Sequence, residues 1–131
     1  MKGVDTNVLV RLLTQDDPEQ AAVAAEELRS GPIYVSSTVI METEWVLRFA
    51  YGFERSQVGA ALLGVVNLAG AVIDSEPAVR AALRWHANGM DLADALHVAR
   101  LERTDEFITF DKKCARKAEQ LGVAPPVRLL S

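Results

Sequence analysis

Four carboxylates stand where acids are unexpected in this chain: Asp5, Glu42, Asp94 and Asp111. Asp5 interrupts the apolar run Gly3 to Val10, and Asp111 directly follows Phe107-Ile108-Thr109-Phe110. If the first run is a buried strand, Asp5 is a costly charge unless it is paired or bound to a metal. Asp111 also has the simpler reading of a helix N-cap. On the helix expected after Ser36, about 100° per residue places Val39, Thr43, Val46 and Ala50 on one apolar stripe. Glu42 borders that stripe, whereas Glu44 is expected to point to solvent one turn before Arg48, as an ordinary surface pair. A later helix carries Asp91, Asp94, Val98 and Leu101 on one side. There Asp91 reads as a cap, and Asp94, between Ala93 and Ala95, extends a face that is otherwise apolar. Hard oxygen ligands without His or Cys partners suit Mg2+ or Mn2+. Bound to such acids, these ions polarise a phosphate and generate a water nucleophile near neutral pH, which is the chemistry of phosphodiester hydrolysis.

The elements that must hold these acids follow from local signals. Gly3 to Val10 reads as a buried strand with a turn at Asp5-Thr6-Asn7. Asp17-Pro18 with Gln20 opens a helix that stops near Ser30-Gly31. Ile33-Tyr34-Val35 is a second strand, and Ser36 or Ser37 caps a helix to about Tyr51-Gly52. Ser56 opens a helix through Leu68, ended by Gly70. Ala71 to Ile73 is a short strand, and Ser75 opens a helix through Trp85 that halts near Asn88-Gly89. Asp91 to Arg103 is helical, and Glu106 to Phe110 is a strand. Asp111 caps a helix ending at Gly122, and Val127 to Leu130 is the last strand. Strands alternating with helices predict an α/β layered fold with a parallel sheet.

The chain of 131 residues, half of them apolar and 24% charged, suits one domain spanning residues 1–131. No apolar run is long enough to cross a bilayer, and MKGVDTNVLV lacks the architecture of a signal peptide. The single Cys114 excludes an internal disulfide and a cysteine-based zinc site. A cytoplasmic protein without a membrane partner is expected. The net charge of −4 does not favour nucleic-acid binding, so a phosphate ligand would need local cations or metal ions.

Asp5-Thr6-Asn7-Val8-Leu9, Glu42-x-x-Trp45-Val46-Leu47, Asp91-x-x-Asp94-Ala95-Leu96-His97 and Thr109-Phe110-Asp111 together resemble PIN-domain ribonucleases. Within them, the chain is most similar to the VapC-type toxins of bacterial toxin–antitoxin operons. The resemblance spans essentially the whole chain and implies a three-layer fold, a central, mostly parallel sheet flanked by helices. It implies an endoribonuclease with Asp5, Glu42, Asp94 and Asp111 as catalytic acids, of which Asp5, Asp94 and Asp111 hold Mg2+ or Mn2+. Asn7, Thr109 and Asp91 take supporting roles by the same resemblance. It further implies an RNA substrate, a homodimer, and inhibition by a small (VapB-like) antitoxin that fills the active-site groove.

Arg11, Lys112, Lys113 and Arg116 are the candidate phosphate contacts, the last three because they directly follow Asp111. A solvated helix face explains that basic cluster equally well. Trp45 and Trp85 read as core or interface anchors. His86 and His97 lack motif partners, and Cys114 reads as packing. A DNA or flap-type nuclease would use the same metal chemistry but calls for a DNA-clamping domain that a chain this short does not hold. A non-catalytic PIN-like binding module would be marked by loss of an acid, and all four are present. A phosphatase or receiver domain needs an early acidic pair and a late Lys after a strand, which Asp5 alone and Asp111 do not supply.

Overall fold

Five of the seven helices begin at a short polar side chain that caps them: Asp5, Asp17, Ser36, Asp91 and Asp111. A computed structural model describes all residues, Met1–Ser131, and the chain forms two compact units, Met1–Glu76 and Pro77–Ser131. The first holds β1 (Lys2–Gly3), α1 (Thr6–Thr14), α2 (Pro18–Arg29), β2 (Ile33–Val35), α3 (Ser37–Phe49), α4 (Arg55–Val66) and β3 (Ala71–Ile73). The second holds α5 (Glu76–Ala87, its first residue closing the first unit), α6 (Leu92–Ala99), β4 (Phe107–Thr109), α7 (Lys112–Leu121) and β5 (Val127–Leu129). The chain is therefore mixed α/β, as its alternation of strand and helix patterns predicts, and every strand pair is parallel. The strands form a three-stranded sheet in the order β1-β2-β3 and a separate β4-β5 pair.

In the first unit, Leu9, Ile33, Val35, Ile40, Leu47 and Leu62 are fully buried. Each contributes about 1.5–3 kcal/mol relative to exposure. α1 packs on both α2 and α3, and α4 packs on α3 and β3. In the second, Val79, Met90, Leu92, Leu96 and Val98 are buried, and α7 packs across β4 and β5. The capping signals act as expected. The Asp17 carboxylate accepts from the Gln20 N–H at 3.1 Å, and Ser36 Oγ accepts from the Val39 N–H at 3.2 Å. Gly122 ends α7 in the left-handed conformation at φ 63°, where a side chain would be strained.

Three expectations fail. Gly3 to Val10 is not a buried strand: β1 is two exposed residues, and Val8, Leu9 and Val10 belong to α1. Asp5 is therefore an exposed helix cap rather than a charge trapped in a strand. A short apolar run cannot separate strand from helix by periodicity, and here Leu9 and Val10 bury themselves as the inner face of α1. The phase of α3 also differs. Its buried residues are Ser37, Ile40, Thr43, Glu44 and Leu47, roughly a quarter turn from the stripe expected. Glu44 is thus buried, not solvent-facing, although its pairing with Arg48 is as expected. Finally, α6 stops at Ala99 rather than Arg103. Arg100 closes the helix, and Arg103 adopts a left-handed φ of 53°.

Candidate active site

The first unit places its acids through the ends of parallel strands. β1, β2 and β3 run in register, Gly3 opposite Tyr34 and Tyr34 opposite Val72. Just beyond their last residues come Asp5, Ser36 and Asp74. Such carboxyl edges are where open parallel sheets build sites. One Asp5 oxygen, Oδ1, accepts from the Val8 N–H at 3.3 Å and so starts α1. The next residue, Thr6, is buried, and its hydroxyl donates to Oε1 of Glu42 on α3. Glu42 is exposed and takes no other side-chain hydrogen bond. Asn7 is exposed beside them.

In the second unit three acids gather around the start of α6 and α7. Asp91 caps α6, its Oδ2 accepting from the Asp94 N–H at 3.1 Å. Asp111 caps α7, its Oδ1 accepting from the Cys114 N–H at 3.0 Å, while the Thr109 hydroxyl accepts from the Asp111 N–H at 3.0 Å. Thr109 thus acts on the backbone that carries Asp111. Asp94 is half-buried, and its carboxyl is raised above its ordinary value of 3.8. Burial is the largest cause, followed by the charges of Asp91 and Asp111, while Cys114 and His97 oppose the shift. Burial, then the carboxylates of Asp94, Asp111 and Asp91, push the Cys114 thiol up to about 11, so it is no nucleophile near neutral pH. His97 is exposed and stacks on Phe107 with ring centroids 6.5 Å apart, and His86 is buried in α5.

The basic residues divide. Arg11 is committed: its guanidinium donates to Gln20, Asp16 and Tyr51. Lys112, Lys113 and Arg116 are all exposed on α7. Two lysines open that helix, where the dipole penalises cations by about 0.3–1 kcal/mol each. The first turn itself holds no acid, so the Asp111 carboxylate at the N-cap is the anion that offsets that cost. Trp45 is not a core residue. It is 55% exposed and packs in a tilted arrangement against Phe49, 61% exposed, with ring centroids 4.9 Å apart, and the Arg48 guanidinium lies 4.3 Å over the Phe49 ring. Trp85 is half-buried.

Two residues escaped the sequence reading. Thr6 was hidden by taking α1 for a strand. Asp74 follows Ala71-Val72-Ile73 just as Asp111 follows its own strand, so the same signal was available. Burial pushes Asp74 upward, but the Ser37 N–H and the hydroxyls of Tyr34, Ser75 and Ser37 outweigh it and hold the carboxyl below its ordinary value. Asp74 thereby ties β3 to the first turn of α3.

Within neither unit do three His, Cys, Asp or Glu side chains close into a metal-holding group. The donor chemistry nonetheless fits a hard cation. Asp91, Asp94 and Asp111 repel one another, no lysine or arginine is among the groups that shift Asp94, and each cap leaves one carboxylate oxygen uncommitted.

Residues 3–120 match the PIN domain family, and the chain belongs to it. PIN domains are in general divalent-metal-dependent nucleases, and this chain is of that nuclease type. No curated protein and no solved structure matches it significantly. No helix is long and apolar enough to cross a membrane.

Proposed function

We propose that this PIN domain is a metal-dependent endoribonuclease acting as the toxin of a toxin–antitoxin pair in the cytoplasm. Its acidic residues are Asp5, Glu42, Asp94 and Asp111, with Asp91, Asn7 and Thr109 in support. The observation that carries the nuclease chemistry is the gathering of acids at the capped starts of α6 and α7, where Asp91 and Asp111 accept the cap N–H groups and Asp94 is raised by burial first and then by those two carboxylates. Asp5, Asp94 and Asp111 would hold Mg2+ or Mn2+, which supplies charge neutralisation at the phosphate and an acidified water. The residues of the chain do the remaining work. Asp91 and Thr109 fix the backbone at Asp94 and Asp111, so those carboxylates need little reorganisation. Glu42, with Oε1 occupied by Thr6, has Oε2 to orient the attacking water. Lys112, Lys113 and Arg116 offer local cations for RNA phosphates in a protein of net charge −4.

The purified protein should cut single-stranded RNA in Mg2+ or Mn2+ and stop in EDTA, with restoration on adding excess metal. Cleavage that persists in chelator removes the metal mechanism. Cleavage of single-stranded or flap DNA in preference to RNA replaces the substrate with that of the alternative nuclease reading.

Two surface features support the protein partners. The exposed Trp45–Phe49 pair puts two aromatic rings in contact on the surface of α3, which suits the apolar centre of a homodimer interface. In the first unit a groove of about 690 Å³, lined by Val4, Val8, Val23 and Ala24 among others, with Asn7 and Arg11, suits an antitoxin segment. Light scattering on a sizing column should give twice the mass of one chain, and W45A/F49A should give one. A parent protein that runs as a single chain removes the dimer.

A further inference from the structure

We infer that Thr6 is the positioning residue for Glu42. This rests on the nuclease reading above and adds to it a residue that none of the catalytic assignments includes. Around the start of α1, Asp5 and Asn7 are exposed while Thr6 between them is buried. A buried hydroxyl needs a partner, and the one Thr6 finds is not a local backbone carbonyl but the carboxylate of Glu42, 36 residues away on α3. The geometry has a consequence for each side chain. The β-branched Thr6 is stiff about χ1, and its backbone is fixed by the Asp5 cap of α1. Glu42 is a long, exposed side chain on α3 that would otherwise sample many rotamers. A hydroxyl donated to a carboxylate is charge-assisted and directional, so the stiff partner dictates where the flexible one points. Thr6 therefore holds Oε1 and presents Oε2, and it links the helix that Asp5 starts to the acid on α3. Because Glu42 is exposed, water can replace the lost hydroxyl in a variant. The bond is thus an orienting contact rather than a pillar of the fold.

The test compares Thr6→Val, which keeps the shape and removes the hydroxyl, with Thr6→Ser, which keeps the hydroxyl. In saturating Mg2+ with a single-stranded RNA, Thr6→Val should lower kcat about 10- to 100-fold, as loss of an orienting partner typically does. KM should stay within about threefold, and Thr6→Ser should keep kcat within about threefold of the parent. In a Glu42→Gln background, Thr6→Val should add little, because the two act as one unit. Independently of activity, the side-chain carboxyl carbon of Glu42 in a 13C NMR spectrum should shift in Thr6→Val and hold its place in Thr6→Ser. A parent-like kcat in Thr6→Val, or equal losses in both variants accompanied by a lower melting temperature, overturns the inference. If the parent itself cuts no RNA, the nuclease reading fails instead, and an unmoved Glu42 carbon in Thr6→Val then overturns the positioning role by itself.

Discussion

Asp94→Asn should lower Mg2+-dependent RNA cleavage by about a hundredfold or more, while the metal-free protein melts no lower than the parent. The two outcomes come from one cause. The Asp94 carboxyl is raised by burial first and then by Asp91 and Asp111, so its ionised form is disfavoured in the folded protein relative to the unfolded chain. A group raised in this way binds its proton more tightly when folded, and its ionisation at neutral pH costs stability. The amide removes the charge and with it the cost. The sign can be checked by pH. Any advantage of Asp94→Asn in chelator should be full at pH 7 and close as the pH falls from the raised Asp94 value toward 3.8, where the parent takes up its proton. Metal should reverse the order. With Mg2+ about a hundredfold above its Kd, the parent should gain about 2.7 kcal/mol and the variant much less. Thermal melts of both proteins, with and without Mg2+ at fixed ionic strength, carry the measurement. A metal-free variant well below the parent makes Asp94 a structural group, and an equal Mg2+ gain in both removes it from the metal site.

The second large effect separates two glutamates on one helix. Glu42→Gln should cost about a hundredfold or more in cleavage, in the range seen for loss of a proton-handling group. Its melting temperature should change little, because the side chain is exposed and an amide oxygen can still accept from Thr6. The stability burden lies with Glu44 instead. Its side chain is only 7% exposed, and both oxygens accept from Arg48, at 2.6 and 3.2 Å. Arg48→Met leaves that carboxylate buried without its guanidinium, which should cost about 3 kcal/mol, the low end for a broken buried pair because Arg48 itself is partly exposed. For a domain of this size that is a fall of roughly 10 °C. Guanidinium titrations and melts of Glu42→Gln and Arg48→Met, with RNA cleavage on the same preparations, distinguish the two roles. An inactive Glu44→Gln beside an active Glu42→Gln would exchange the assignments.

What the amino-acid order determined by itself was whatever depends on a few neighbouring residues. Asp17-Pro18, Ser36 and Asp111 each satisfy the orphan N–H groups of a helix start with their own side chain, and Gly122 supplies the left-handed turn that ends α7. Those contacts span three or four residues, so they can be read without the fold. The order of the acidic motifs was equally legible, and with it the family. The tertiary structure decided the rest. Val8, Leu9 and Val10 suit a strand or a helix equally, and only the packing of α1 against α2 and α3 makes them helical. The face of α3 that turns inward is chosen by Ile40 and Leu47 meeting their neighbours, which buries Glu44 and leaves Trp45 in the open. Thr6 meets Glu42 and Asp74 meets Ser37 across 36 and 37 residues of sequence, a separation no local pattern encodes. The repulsion at Asp94 likewise exists only because folding brings the caps of α6 and α7 near one another while withdrawing water from the carboxylate.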